Sequence, residues 1–440
     1  MENKKPLAPV VRYIISFLLG EGNEQWVDHV SYGETGQGDV NIVPSGFFDE
    51  GVYLQMQSLP GLPLRELSGI PLLFGEEKTE ILEGKVSTHA DIIASTFFLI
   101  TRYEEYLRPD IRDCHGRFPG KQSLPYRAGF LHRPIVEEYG VLLRQWLREA
   151  GVPVTKPEKG IRKVFLTHDM DYPWMYSSRF RRFLSIGKDL LLRRDLSAAL
   201  EKTVHFWEKD PFYGAFDWLK DHDGAALEDL GQEKCEILYF LLCANGLTPG
   251  DCGYSNDIRK TRKLVRQLQG NARIGLHTSY YAGLHPEELS QDIQRFHAIT
   301  GQYPRENRYH FLSCREPGDL EALRSGGIRD DYTFAYADVA GFRLGTCRPV
   351  KWIDAISLTV TDLTLHPMTI MECTLDGESY MNLGEDEAMV YSRALIDQVY
   401  EHSGEVVLLW HNTSVASTAQ NYQRRLYCKV LDYLYQKMHE

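Results

Sequence analysis

Between residues 160 and 415 the chain repeats one pattern: a short apolar run, then, in several cases, a segment of helical character. The runs are Lys163–Thr167, Glu236–Ala244, Arg273–Leu276, Arg308–Leu312, Gly327–Asp331, Met368–Thr374 and Glu405–Trp410. Among the segments between them, Ile258–Leu268 stops at Gly270, Pro286–Phe296 places acids in its first turn, where the helix dipole favours them, and Glu387–Tyr400 is a third. Apolar strands alternating with helices belong to a mainly parallel sheet covered on both faces. The pattern predicts an α/β fold, either a (β/α) barrel with fewer than eight strands or a doubly wound sheet.

The first 155 residues read differently. Pro9–Leu19 predicts an amphipathic helix, 31–52 short strands and turns, Asp91–Tyr106 a mostly buried helix, and Arg133–Ala150 a further helix stopped by Gly151. Pro153, Pro157 and Gly160 punctuate a linker. The expectation is a smaller N-terminal α+β unit over 1–155 and the strand–helix unit over 156–440.

A chain of 440 residues is long enough for two such units, and its 43% hydrophobic and 25% charged residues are those of a folded protein. A net charge of −12 argues against a nucleic-acid binder. The eight cysteines form no Cys-x-x-Cys pair, so a thiolate zinc knuckle is not indicated and a reducing compartment fits. Lys4 and Lys5 precede Pro6, and Tyr13–Leu19 runs into Gly20 without a small-residue cleavage pattern. No run reaches membrane-spanning length. These readings point to a cytoplasmic protein. The cluster Arg179, Arg181, Arg182, Lys188, Arg193 and Arg194 reads first as a solvated helix face, with contact to an acidic membrane surface as the alternative.

Chemistry gathers where the expected strands end, because the loops of a parallel sheet converge there. The first run meets His168, Asp169 and Asp171 before Pro173 blocks its continuation. Buried acids are costly without a metal, a partner or water, although Asp-x-Asp also suits an Asx turn. The third run places His277 at its tip, the fourth contains Asn307-Arg-Tyr-His310, the fifth ends in Asp330 and Asp331, and the last ends in His411. A lone histidine at a strand end is more often structural. Polar groups at the ends of five strands are harder to explain in that way.

These residues carry a resemblance. Residues from about 160 to 415 resemble the polysaccharide deacetylase family, carbohydrate N-deacetylases on a distorted (β/α) barrel of seven-strand type. Thr167-His-Asp-Met-Asp171 is similar to the family's first motif, which implies Asp169 as general base and Asp171 as metal ligand. Gly275-Leu-His-Thr-Ser279 is similar to the second, which implies His277 as a ligand. Arg308 resembles the arginine of the third, Asp331 lines the groove in the fourth, and Leu409-Trp-His411 resembles the fifth, with His411 as general acid. The family's usual second histidine ligand is here Tyr281, whose phenol is a poor ligand at neutral pH. His310 and His285 are the nearest replacements, and His310 is favoured because it lies in another motif. The resemblance implies a divalent metal, zinc foremost, and an N-acetylated carbohydrate or small amide substrate. The readings kept beside it are a degenerate glycan- or partner-binding cleft and hydrolysis of another linear or cyclic amide. The N-terminal region is similar to an uncharacterised module of some bacterial proteins, through His115-Gly-Arg-Phe118 and Leu124-Pro-Tyr-Arg-Ala-Gly-Phe130.

Overall fold

The computed structural model describes residues 7–176, 178–246, 248–315 and 318–440; Lys4, Lys5 and Pro6, used above to read the N-terminus, lie outside them. The N-terminal region holds six short strands: β1 Val30–Tyr32, β2 Val40–Ile42, β3 Arg65–Leu67, β4 Ile70–Leu72, β5 Gly75–Leu82 and β6 Lys85–Ala90. Four of them form a sheet in the order β1-β2-β6-β5. Glu83 and Gly84 turn β5 into β6 with φ of 51° and 78°, the two positive values that a type I′ hairpin requires. The helices Leu7–Leu19 and Ile135–Glu149 lie where expected. The helix expected over Asp91–Tyr106 is instead two, Ile92–Ile100 and Tyr103–Leu107, parted at Arg102 with φ of 54°. That break sets the Arg102 guanidinium 3.7 Å over the Phe334 ring, a contact from the other half of the chain.

The second half forms a nine-stranded sheet among the described residues. Its strands are β7 Lys163–Met170, β8 Cys235–Leu242, β9 Ala272–Thr278, β10 Glu306–Tyr309, β11 Asp330–Asp331, β12 Val350–Asp354, β13 Thr359–Leu365, β14 Ile370–Met371 and β15 Glu405–Leu409. The order is β12-β13-β11-β10-β9-β8-β7-β15-β14, parallel throughout except for the β12–β13 hairpin. This is the mixed α/β architecture that the repeat predicts, and each expected run overlaps a strand, although Arg308–Leu312 holds only the last two residues of β10 before a 3-10 turn over His310–Leu312. The hairpin was not expected, and Met368–Thr374 turns into the helix Glu372–Asp376 after two strand residues. The helix Ile258–Leu268 is capped by Asp257, which accepts from the Lys260 N–H at 3.0 Å, and it buries Thr261, Leu264, Val265 and Leu268.

Residues 365–371 bridge two parts of this sheet. The His366 N–H donates to Asp331 at 2.8 Å and that of Met368 to Phe334 at 3.1 Å, while the Thr369 N–H donates to Val407 at 2.9 Å. Strand alternation then sorts the side chains. Val164, Leu166 and Met170 join the large core, whereas Phe165, Val407 and Leu409 join a separate apolar cluster with Leu238, Phe240 and Met368. Asp169 is in phase with Phe165, and His411 with Val407 and Leu409.

The two halves are tightly joined. Arg343 holds the buried Glu105 carboxylate through bonds of 3.0 and 2.6 Å, and Glu137 accepts from Thr346 at 2.5 Å and Arg348 at 3.0 Å. One apolar cluster runs through both halves, from Val10 to Leu434. Among the described residues no helix is long and apolar enough to cross a membrane.

Candidate metal centre and catalytic pocket

Asp169 lies within β7 and Asp171 just past its end, His277 lies in β9, Arg308 in β10 with His310 one residue past it, and His411 follows β15. His277 stands in register with Arg308 across the β9–β10 pair. Gly275 makes room for this layer, since a Cβ there would lie 2.7 Å from the Phe240 ring. Arg308 in turn lies 4.4 Å over that ring.

The pocket is dense with charge. Arg308 is fully buried; its Nη1 donates to Asp169 Oδ1 at 2.9 Å and its Nε to the Tyr332 carbonyl at 3.0 Å. The other Asp169 oxygen, Oδ2, lies 3.5 Å from His277 Nε2 and 3.9 Å from His411 Nε2. Asp171 lies 3.1 Å from His277 Nε2, 3.7 Å from His310 Nε2 and 3.6 Å from His411 Nε2.

Each histidine is oriented from behind. His277 Nδ1 lies 2.9 Å from the Arg308 carbonyl, which accepts its proton. His310 Nδ1 lies 2.9 Å from Asp251, and His411 Nδ1 lies 2.7 Å from Glu372. Glu372 also accepts from the His411 N–H at 2.9 Å and from Ser414 at 2.7 Å. These carboxylates dictate the protonation. Burial disfavours charge on His310, but Asp171 and Asp251 outweigh it and lift its pKa to about 9. Burial likewise opposes charge on His411, and Glu372 with Cys373 overcomes it, holding the imidazole well above its ordinary value. Asp171 would be raised by burial, yet His310, His277 and His411 bring it well below the usual carboxylate range.

One pair of atoms tests whether a cation belongs here. His277 turns its Nδ1 to a carbonyl, so Nε2 faces the carboxylates, where either a proton or a cation can lie between them. Asp171 Oδ1 and His277 Nε2 are both buried without a hydrogen-bond partner. Two such acceptors 3.1 Å apart repel unless a proton or a cation lies between them. Asp171, His277 and His310 each offer a ligand atom, all within 4.8 Å of one another. Two imidazole nitrogens and a carboxylate oxygen suit a divalent ion such as zinc. Glu372, Cys373 and His411 form a second close group, but there the His411 proton already occupies the space.

The structure brings together Asp169, Asp171, His277, Arg308, His310 and His411. Asp331, expected to line the groove, stands apart. It is fully buried, and its oxygens accept from Asn307 at 2.8 Å and from Thr333 at 3.0 and 2.9 Å. The reason is strand alternation: Asp331 is in register with Asn307, so it shares the face opposite Arg308. Tyr281 packs against His285 at 4.7 Å between ring centroids and its backbone N–H donates to Asp251 at 2.9 Å, while His285 is half-exposed near Glu287. His168 points to the other face of β7, between Asp223 at 2.9 Å and the Trp410 carbonyl at 2.8 Å. Asp251 and Glu372 were not foreseen. Asp251 lay hidden in a Pro-Gly-Asp turn, whereas Glu372 left a signal as the one acid in the apolar run Met368–Thr374.

The N-terminal half forms part of the wall. Arg117 donates to the Phe311 carbonyl at 3.0 Å and to the Tyr380 hydroxyl at 3.2 Å. The His115 ring stacks on Phe311 at 4.6 Å, and Phe311 stacks on His310 at 4.2 Å. Phe311 and Leu312 both have positive φ, 57° and 55°, a strained turn that begins right after His310.

Residues 9–152 match a model described as a family of unknown function, DUF7033. No curated protein matches the chain. Among solved structures, one from Mycobacterium smegmatis, described as a candidate polysaccharide deacetylase, is similar at 13% identity and a TM-score of 0.38, over 64% of this chain and 87% of that one. The polysaccharide deacetylase Bc1974 from Bacillus cereus is similar at 11% identity and a TM-score of 0.30, over 63% of this chain and 87% of that one. A mutant of BA3943, described as a CE4 family pseudoenzyme, is similar at 13% identity and a TM-score of 0.29, over 65% of this chain and 66% of that one. At these identities and scores, any functional reading rests on the chain's own residues and geometry.

Proposed function

We propose that the protein is a metal-dependent hydrolase that removes an N-acetyl group from a sugar or sugar-containing substrate. The observation that carries this reading is the unpartnered Asp171 Oδ1–His277 Nε2 pair, 3.1 Å apart, with a carboxylate and a second imidazole beside it. A divalent cation held by Asp171, His277 and His310 would polarise the acetyl carbonyl and lower the pKa of a water. Asp169 accepts the proton of the attacking water at Oδ2, because Oδ1 is committed to Arg308. His411 donates from Nε2 to the departing amine, and Glu372 keeps it protonated and aimed. The products are acetate and a free amine.

The same reading takes the chain as two units, 1–155 and 156–440, with the second a distorted barrel. The bonds from residues 365–371 to both Asp331 and Val407 support closure of the sheet around Phe165, Phe240 and Leu409. A cleft that only binds its ligand has no use for a buried, arginine-held base facing a carboxylate-held acid.

The test is paired metal analysis and acetate release. Asp171→Ala and His277→Ala should lose the metal, whereas Asp169→Asn and His411→Ala should keep it and lose turnover. Equal metal loading in the first pair, or wild-type turnover in either of the second, overturns the assignment.

A further inference from the structure

Between β7 and the helix Pro211–Leu230 lies an excursion that the pocket does not use. Asp210 closes its base, accepting from the N–H of Met175 at 2.9 Å and of Tyr176 at 2.8 Å. The helix Arg179–Lys188, a π-helical turn over Asp189–Arg193 and the helix Leu196–Val204 build it.

Two of its charges point inward: Arg182 is buried and donates to the carbonyls of His205 at 2.6 Å and Glu208 at 3.0 Å, and Asp189 is buried and accepts from Lys202 at 2.5 Å and Arg193 at 3.1 Å. Arg179, Arg181, Lys188, Arg193 and Arg194 are exposed. The large apolar side chains point outward, with Leu191 81%, Leu192 76% and Trp207 75% exposed. Ten of the twenty-three exposed large apolar side chains among the described residues fall between 180 and 207. A patch this concentrated marks an interaction surface. Of the six basic residues expected on a solvated face, five are exposed and Arg182 is inside, and exposed leucines share that surface.

Charge identifies the occupant. Residues 179–207 carry seven Arg or Lys against three Asp or Glu, in a chain whose net charge is −12. A second copy docking through the same patch would set like charge against like. We propose that this excursion docks on an anionic lipid bilayer, its leucines, phenylalanines and Trp207 entering the headgroup boundary and its arginines meeting the phosphates. No described helix can span, so the segment lies on the surface. It leaves the sheet just past Asp171, so the docked membrane lies at the pocket's end of the sheet.

Flotation of the full-length protein tests this. The probes are vesicles of phosphatidylcholine with phosphatidylglycerol and vesicles of phosphatidylcholine alone. Wild type should float with the anionic vesicles and be released by salt. Arg181→Glu/Arg194→Glu should bind weaker by roughly five-fold or more for each charge changed, and Leu191→Ser/Leu192→Ser should lose binding. Because these side chains are exposed, the melting curves should not move; a variant that fails to fold is replaced by Phe180→Ser/Phe183→Ser. Wild type that stays at the bottom of the gradient, variants that float like wild type, or a dimer abolished by the serine variant without any flotation would each overturn the proposal.

Discussion

The Arg308–Asp169 pair permits a quantitative test of the pocket. Both partners are buried, with side-chain exposures of 0% and 4%, and the contact is 2.9 Å. Two unit charges about 4 Å apart at an effective dielectric near 20 attract by about 4 kcal/mol. Arg308→Met strands the carboxylate and Asp169→Asn strands the guanidinium, and each should cost roughly 3–5 kcal/mol. The double variant strands neither, so its loss should fall short of the sum by about 3–4 kcal/mol. The assay is urea unfolding of the four proteins at neutral pH with a chelator present, so that no cation compensates the loss. Circular dichroism and tryptophan fluorescence should report the same transition, which licenses the free energies. If the two single losses add to the double loss within about 0.5 kcal/mol, the two groups are not coupled and the argument that Arg308 holds the base is wrong.

Three further outcomes follow from neighbouring groups. Asp251→Asn removes the carboxylate behind His310 and should weaken zinc binding about 10- to 100-fold in a competition titration; unchanged affinity would show that His310 is not a ligand. Glu372→Gln keeps an acceptor but removes the charge that raises His411, so the alkaline limb of the rate profile should move to lower pH with metal content unchanged. An unmoved limb would detach Glu372 from the acid. His366 sits between Glu405 at 2.9 Å and Asp330 at 3.3 Å, and these acids outweigh burial to lift it to about 9. A raised value means that its stabilisation is complete below about pH 6.5 and is lost as pH rises through the folded value, about 3 kcal/mol in all. Unfolding measured across that range should flatten in His366→Gln; an identical slope would refute the linkage.

Local rules made much of this protein legible. Val407, Leu409 and His411 alternate in phase, as do Phe165, Thr167 and Asp169, so strand periodicity alone aims the acid and the base at one face. The seven apolar runs mark the sheet because parallel strands must be apolar on both sides. Tertiary contacts decided the rest. Asp251 orients His310 across 59 residues and Glu372 orients His411 across 39, distances over which no periodicity carries information. The split of the helix at Arg102 and the seating of His115 against Phe311 both depend on which surface lies opposite. Side-chain type and spacing along a strand are local properties, whereas the partner of a buried charge is chosen only when distant segments pack together, because the energy of that charge depends on what replaces its water.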